Sequence, residues 1–184
     1  MIIRNTSRYP DAEVEALVEF AAIGLPVSRV CVNVKGSEYA YAGRAYQYIP
    51  RQSNAPRSCK YLVVLRIGPE KLFPIDNMRS RVRWVRVKSG EAYDVREVRS
   101  VVRGTEHWLE RQVISRGPYG GGPLIKMEDW REGLVSLAAH EFRHIKQFRE
   151  GLVLSEKACE THAAERLAAW RWGLSPSAQE DCRT

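Results

Sequence analysis

The sequence predicts an α+β domain: a mostly antiparallel sheet from its N-terminal two-thirds, a helix covering that sheet, and a C-terminal helical hairpin. Three observations predict it. Short segments with period-two or continuous apolar character gather between residues 30 and 88. A helical-period stripe precedes them, and two capped helical segments joined by a few residues follow from Asp129 onward. The 184 residues fit one domain with a sizeable core, in which residues 1–127 form the helix-plus-sheet region and 128–172 the hairpin.

Composition narrows the function classes. Apolar residues make up 44% and charged residues 28%, a balance typical of soluble globular chains. No apolar run approaches the roughly 20 residues that span a bilayer, so no membrane partner is expected. The N-terminus carries no recognisable secretory signal. Cys31, Cys59, Cys159 and Cys182 are scattered without a CxxC pair. That argues against a zinc ribbon or disulfide scaffold and for a reduced, cytoplasmic setting. A net charge of +7, from 29 Lys+Arg against 22 Asp+Glu, suits nucleic acid or another acidic partner, and equally a plain basic surface.

The elements follow in order. Asp11 is the expected N-cap of a first helix, with Val14, Leu17, Val18, Ala21, Ala22 and Leu25 on its buried stripe and Gly24 and Pro26 closing it. Val30, Val32 and Val34 alternate with Arg29, Cys31 and Asn33 as a half-buried strand. Tyr39 to Ile49, with Gly43 in its middle, reads as a second strand or hairpin arm whose tyrosines either pack or stack on a ligand. Pro50 to Ser58 is a loop by composition, and Tyr61 to Ile67 (YLVVLRI) a central strand ending at Gly68-Pro69.

Arg81 to Lys88 (RVRWVRVK) is a basic strand whose alternation slips at Trp84-Val85, which predicts a bulge there. Its cations and Trp84 could meet nucleic acid, or simply protect a solvated edge. Val95 to Val102 fits strand or helix, and Thr105 to Glu110 predicts the start of a short helix capped by Thr105. Gly117 to Pro123 is a glycine-rich loop with no phosphate-binding lysine pattern. Ser175 to Thr184 is polar and expected to fray.

The chemistry sits in the hairpin. Asp129 and Glu132 form a capping-box pair, Leu134, Leu137, Ala138, Ile145 and Phe148 form a core-facing stripe, and Gly151 ends the helix. Within this helix lies His140-Glu141-Phe142-Arg143-His144, an HExxH motif. Histidines at i and i+4 project from one face and can share one metal ion, while Glu141 can reach a water on that ion as its base. A catalytic zinc site needs a third protein ligand. The next helix, capped by Ser155, offers Glu156 and Glu160 on one face. A returning antiparallel helix must climb about as far as His144 lies from the end of its own helix, which ranks Glu160 first and Glu156 close behind. The other carboxylate is then expected to support a ligand from behind.

Glu128 to Trp172 resembles the gluzincin metallopeptidases, in which HExxH is followed by a glutamate on the next helix. Ser155-Glu156-Lys157-Ala158-Cys159-Glu160 is similar to their ExxxD-type signature, with Glu in place of the final Asp. The resemblance implies Glu156 as ligand and Glu160 as the group that orients a histidine, so both assignments stand. SprT-like proteases are a weaker resemblance over HExxH alone. They use a third histidine, and His162 lies about 200° around the helix from Glu160.

The expected activity is therefore that of a zinc endopeptidase acting on an extended peptide or protein substrate. The peptide is expected along Leu124-Ile125-Lys126, beneath a glycine-rich loop that opens and closes. Tyr119, His107 or an arginine of the basic strand would stabilise the oxyanion. The alternatives are a nucleic-acid-binding module working through residues 81–88, or an interaction protein, with a structural or vestigial metal.

Overall fold

A computed structural model describes residues 1–38, 41–88 and 107–173, with the backbone alone for 78–88 and 107–116. The fold is α+β. Five elements build its frame: β1 (Ile2–Thr6), α1 (Asp11–Ala22), β2 (Val30–Gly36), β3 (Ala42–Tyr46) and β4 (Tyr61–Ile67). The strands form one mixed sheet in the order β1-β2-β4-β3. β1 and β2, and β2 and β4, pair in parallel, whereas β3 runs antiparallel to β4 on the edge. Antiparallel pairing also joins β5 (Ile75–Asp76) to β8 (Lys126–Met127), and β6 (Met78–Lys88) to β7 (His107–Pro118).

The parallel ladders were not expected from the sequence, and β1 explains why. Its burial alternates between exposed and intermediate, so it carries no strong apolar signal. Its place is set by α1, which returns the chain to β2 as a parallel βαβ crossover.

α1 buries Val14, Leu17, Val18, Ala21 and Ala22, the stripe its periodicity predicts. Pro10, rather than Asp11, occupies its N-cap position without a side-chain cap. Asp11 instead accepts a hydrogen bond from the Asn5 amide at 2.8 Å. The sheet face toward the helices carries Val30, Val32, Val34, Tyr61, Val63, Leu65 and Ile67. β4 is central and ends where Gly68 follows. A smaller core of Cys31, Cys59, Leu62 and Val64 lies on the opposite face.

α2 (Trp130–Glu150) packs into the main core, with Trp130, Leu134, Phe142 and Ile145 essentially inaccessible. Asp129 accepts from the Glu132 N–H at 2.9 Å, and Glu132 reaches back to the Glu128 N–H at 2.8 Å. Gly151 closes the helix in the left-handed conformation, φ 62°. Tyr9 stacks on Trp130 with ring centroids 3.9 Å apart, and Glu13 of α1 pairs with Arg131. α3 (Glu156–Arg171) is capped by Ser155, which accepts from the Ala158 N–H at 3.2 Å. Arg171 meets Glu132 at the start of α2, and Gln147 near its end reaches Ser155, so α2 and α3 are antiparallel. No described helix is long and apolar enough to cross a membrane.

Two expectations for the β6–β7 hairpin change. Residues 107–110 extend β7 instead of forming a helix, and the register shift falls between Met78 and Ser80, not at Trp84-Val85. The backbone of the basic stretch is a strand, as its alternation predicts. Residues 95–102, Thr105 and 175–184 lie outside the described residues, as does Tyr39.

Candidate metal centre

His140 and His144 fall one helical turn apart on α2, with ring centroids 5.0 Å apart. Both are buried, at 8% and 9% exposure, as are Glu141 at 5% and Glu160 at 6%. Four titratable side chains this deep need partners, because burial disfavours their charged forms.

The partners divide between two sides of the histidine pair. On one side, His140 Nδ1 lies 2.9 Å from Glu160 Oε1, and His144 Nδ1 lies 3.0 Å from Gln147 Oε1. These are hydrogen-bond lengths. Carbonyl and carboxylate oxygens only accept, so both histidines donate from Nδ1–H, and their Nε2 lone pairs stay available on the opposite side. There, the Glu156 carboxylate stands 3.3 Å from His140 Nε2 and 3.6 Å from His144 Nε2. In a tetrahedral zinc site with about 2.0–2.1 Å bonds to N and O, neighbouring ligand atoms lie about 3.3–3.4 Å apart. The Glu156 carboxylate thus faces both Nε2 atoms, one oxygen toward each, near that spacing.

Cys159 joins from the Nδ1 side, with Sγ 3.5 Å from His144 Nδ1 and 3.7 Å from Gln147 Oε1. His140, His144 and Cys159 form a buried group, with donor atoms all within 4.8 Å of one another, that could hold a metal ion. The sequence reading missed Cys159, which has no pattern of its own beyond sitting one residue before Glu160.

Electrostatics follow the same division. Burial drags His140 down, but the Glu160, Glu141 and Glu156 carboxylates outweigh it and hold the imidazole above its ordinary pKa. Burial and neighbouring His140 lower His144. Burial, reinforced by Glu156, pushes Glu141 up to about 7 against the pull of His140 and of the Ala45 N–H that it accepts. Burial and the surrounding carboxylates push the Cys159 thiol up to about 12.

Edge strand β3 passes directly over Glu141. A Cβ at Gly43 would overlap the Glu141 carboxylate, so the approach depends on glycine. The Ala45 N–H is hydrogen-bonded to Glu141, and β3 has no strand on its second edge among the described residues. A cavity of about 330 Å³ opens here, lined by Tyr41, Gly43, Asn77, Tyr119, His140 and Glu141 among others.

The glycine-rich segment lies against α3. Cβ atoms at Gly120 and Gly122 would collide with Glu156 and Glu160, and both glycines sit in direct apposition to that helix. Asn77 ties the segment down. It hydrogen-bonds Glu160 Oε2 at 2.6 Å and the Pro123 carbonyl at 3.0 Å, and accepts from the Ile125 N–H at 2.9 Å. Tyr119 places its ring edge-on to His140, with centroids 6.0 Å apart. Of the residues expected to line a substrate, Tyr119 is thus beside His140. Leu124 is 54% exposed and Ile125 is buried at 4%. Lys126 is paired in β8 with Asp76 of β5, and among the described residues β8, like β3, has no strand on its second edge. Asn77 carried no signal in the sequence, being one polar residue between two short strands. His162 lies apart from the group, its Nε2 buried without a partner, and burial with nearby Arg166 lowers its pKa to about 4.

Comparison with protein-family models, with curated proteins and with solved structures gave no match. The reading of the site therefore rests on its own geometry.

Proposed function

We propose that the chain is a zinc-dependent endopeptidase in which His140, His144 and Glu156 hold the ion. The observation that carries this is the single Glu156 carboxylate facing both Nε2 atoms at ligand-to-ligand spacing. The donor set fits zinc chemistry, with two neutral imidazoles and one carboxylate. Glu160 hydrogen-bonds His140 from behind, reversing the order of the two glutamates given by helix geometry alone. Cys159 meets the pair from the Nδ1 side, where Glu160 and Gln147 already take the ring N–H groups, so it is the alternative third ligand.

A zinc ion held there would polarise the scissile carbonyl and make water an effective nucleophile near neutral pH. Glu141 takes the proton from the attacking water and delivers it to the leaving amine. The substrate adds as a strand to the open edge of β3, which holds its backbone beside Glu141, and one substrate side chain enters the cavity beneath Tyr119 and Tyr41. Tyr119, whose ring lies edge-on to His140, would stabilise the developing oxyanion.

Hydrolysis of casein by zinc-loaded protein, wild type beside Glu141→Gln, tests the assignment. Loss of a general base lowers turnover by about 10²–10⁴-fold, and zinc content should be unchanged. A zinc-loaded wild type that cleaves no peptide substrate, or a Glu141→Gln variant that cleaves as well as wild type, would sink it.

A further inference from the structure

The sheet has a second working face. Strand residues alternate between its two sides, so while Gly43 looks toward Glu141, its neighbour Arg44 looks away. On that far side, pairing register sets Thr6, Lys35, Arg66 and Ala42 in one row across β1, β2, β4 and β3, and Arg4, Asn33, Val64 and Arg44 in the next. Four cations thus share two adjacent rows, and all four are exposed. A cavity of about 540 Å³ opens over these rows, lined by Arg4, Lys35 and Arg66 with Thr6, Asn33 and Gln52, and no carboxylate lines it.

This placement has a cost. Lys35 and Arg66 are direct cross-strand partners of the same charge, an arrangement that destabilises a sheet. No carboxylate relieves it: among the described residues, Arg4, Lys35, Arg44 and Arg66 make no ion pair. Arg4 donates to the Asn54 carbonyl, and Arg44 lies over the Tyr46 ring at 5.2 Å. From β1 to β3 the cations span three strand spacings, about 14 Å. That breadth exceeds one phosphate and suits a chain of them. Tyr46 lines the cavity itself and Tyr48, two residues on, is 77% exposed, so aromatic side chains accompany the cations and offer a base a ring to stack on.

We infer that the far face of the sheet binds the phosphate backbone of single-stranded nucleic acid through Arg4, Lys35, Arg44 and Arg66. The contact is electrostatic and independent of base sequence. It stands apart from the metal centre, on the other side of the sheet, and does not depend on the peptidase assignment.

The test is fluorescence anisotropy of a labelled oligothymidylate titrated with the full chain across a salt series. Three double variants are compared with wild type: Lys35→Gln/Arg66→Gln, Arg4→Gln/Arg44→Gln, and Arg81→Gln/Arg83→Gln. Each phosphate contact contributes about 0.7 to the slope of log K against log salt for single strands. Each far-face double variant should therefore flatten the slope by about 1.4, while the Arg81/Arg83 pair leaves it unchanged. Lys35→Gln/Arg66→Gln should melt no lower than wild type, since it removes a repulsion, so its loss of binding cannot be attributed to unfolding. No binding at low salt overturns the inference, as does a slope that responds to Arg81/Arg83 and not to the far-face pairs. Polyglutamate binding as tightly as the oligonucleotide would also overturn it, by making the face a general acidic-protein site.

Discussion

The two sides of the histidine pair use the same kinds of side chain for different work. On the Nδ1 side, Glu160 and Gln147 are buried and hydrogen-bonded at 2.9 and 3.0 Å, and Asn77 braces Glu160 in turn. On the Nε2 side, the Glu156 side chain is 46% exposed and stands off both rings by 3.3 and 3.6 Å. The difference is instructive. A closed, fully partnered side fixes tautomer and ring orientation, and an open side with spare lone pairs is where an ion and a substrate can enter. Two glutamates one turn apart on α3 thereby stand in separate surroundings, which is the basis of the separate roles proposed for them.

The strongest way to break the comparison is to remove the open-side carboxylate. Glu156→Ala should cost zinc affinity more than the about 10–100-fold that losing a supporting partner costs, measured by competition with a chromogenic chelator. Next is Gly43→Ala, which touches neither side but pushes on Glu141. A base displaced by about 1 Å can cost about 10²-fold in kcat, and here zinc content should hold. A kcat equal to wild type would show that β3 does not set the position of Glu141. Smaller again is Glu160→Gln on the closed side. The amide still meets His140, so zinc affinity should fall within about 10–100-fold and the protein should still load at saturating zinc.

A histidine outside both sides gives the smallest effect and a control. His162 has a folded pKa of about 4, below the ordinary 6.5 of an unfolded histidine. Between those values the unfolded chain binds more protons, so stability is full above about pH 6.5 and falls as pH drops toward 4. His162→Gln should flatten that part of a urea-denaturation pH profile and leave zinc affinity alone. A His162→Gln protein with lowered zinc affinity would place this residue in the site after all.

The hairpin was legible in the sequence because its signals are local. Asp129, Gly151 and Ser155 act as the caps their positions predict, and HExxH places both histidines on one face whatever the rest of the chain does. The proposed order of the two glutamates depends on a loop, which no local signal fixes. Helix geometry favoured Glu160 on the assumption that α3 begins level with the end of α2. Instead the chain from Gly151 runs back, and the Ser155 carbonyl lies 3.4 Å from the Gln147 amide, so Glu156 already stands beside His144. The ExxxD-like spacing implies the same proposed order without that geometry. Strands β2 and β4 were readable from their apolar runs, while β1, half exposed along its length, was not. Asn77 and the role of Gly43 were hidden for another reason: each matters only through a partner more than 80 residues away or across the sheet edge.

The most direct test is zinc content per chain for wild type, Glu156→Ala, Glu160→Ala and Cys159→Ala, purified side by side without a histidine tag. About one zinc in wild type and Cys159→Ala, a reduced content in Glu160→Ala and none in Glu156→Ala is the predicted outcome. Zinc retained in Glu156→Ala but lost in Cys159→Ala would contradict it and move the ion to the closed side of the histidine pair.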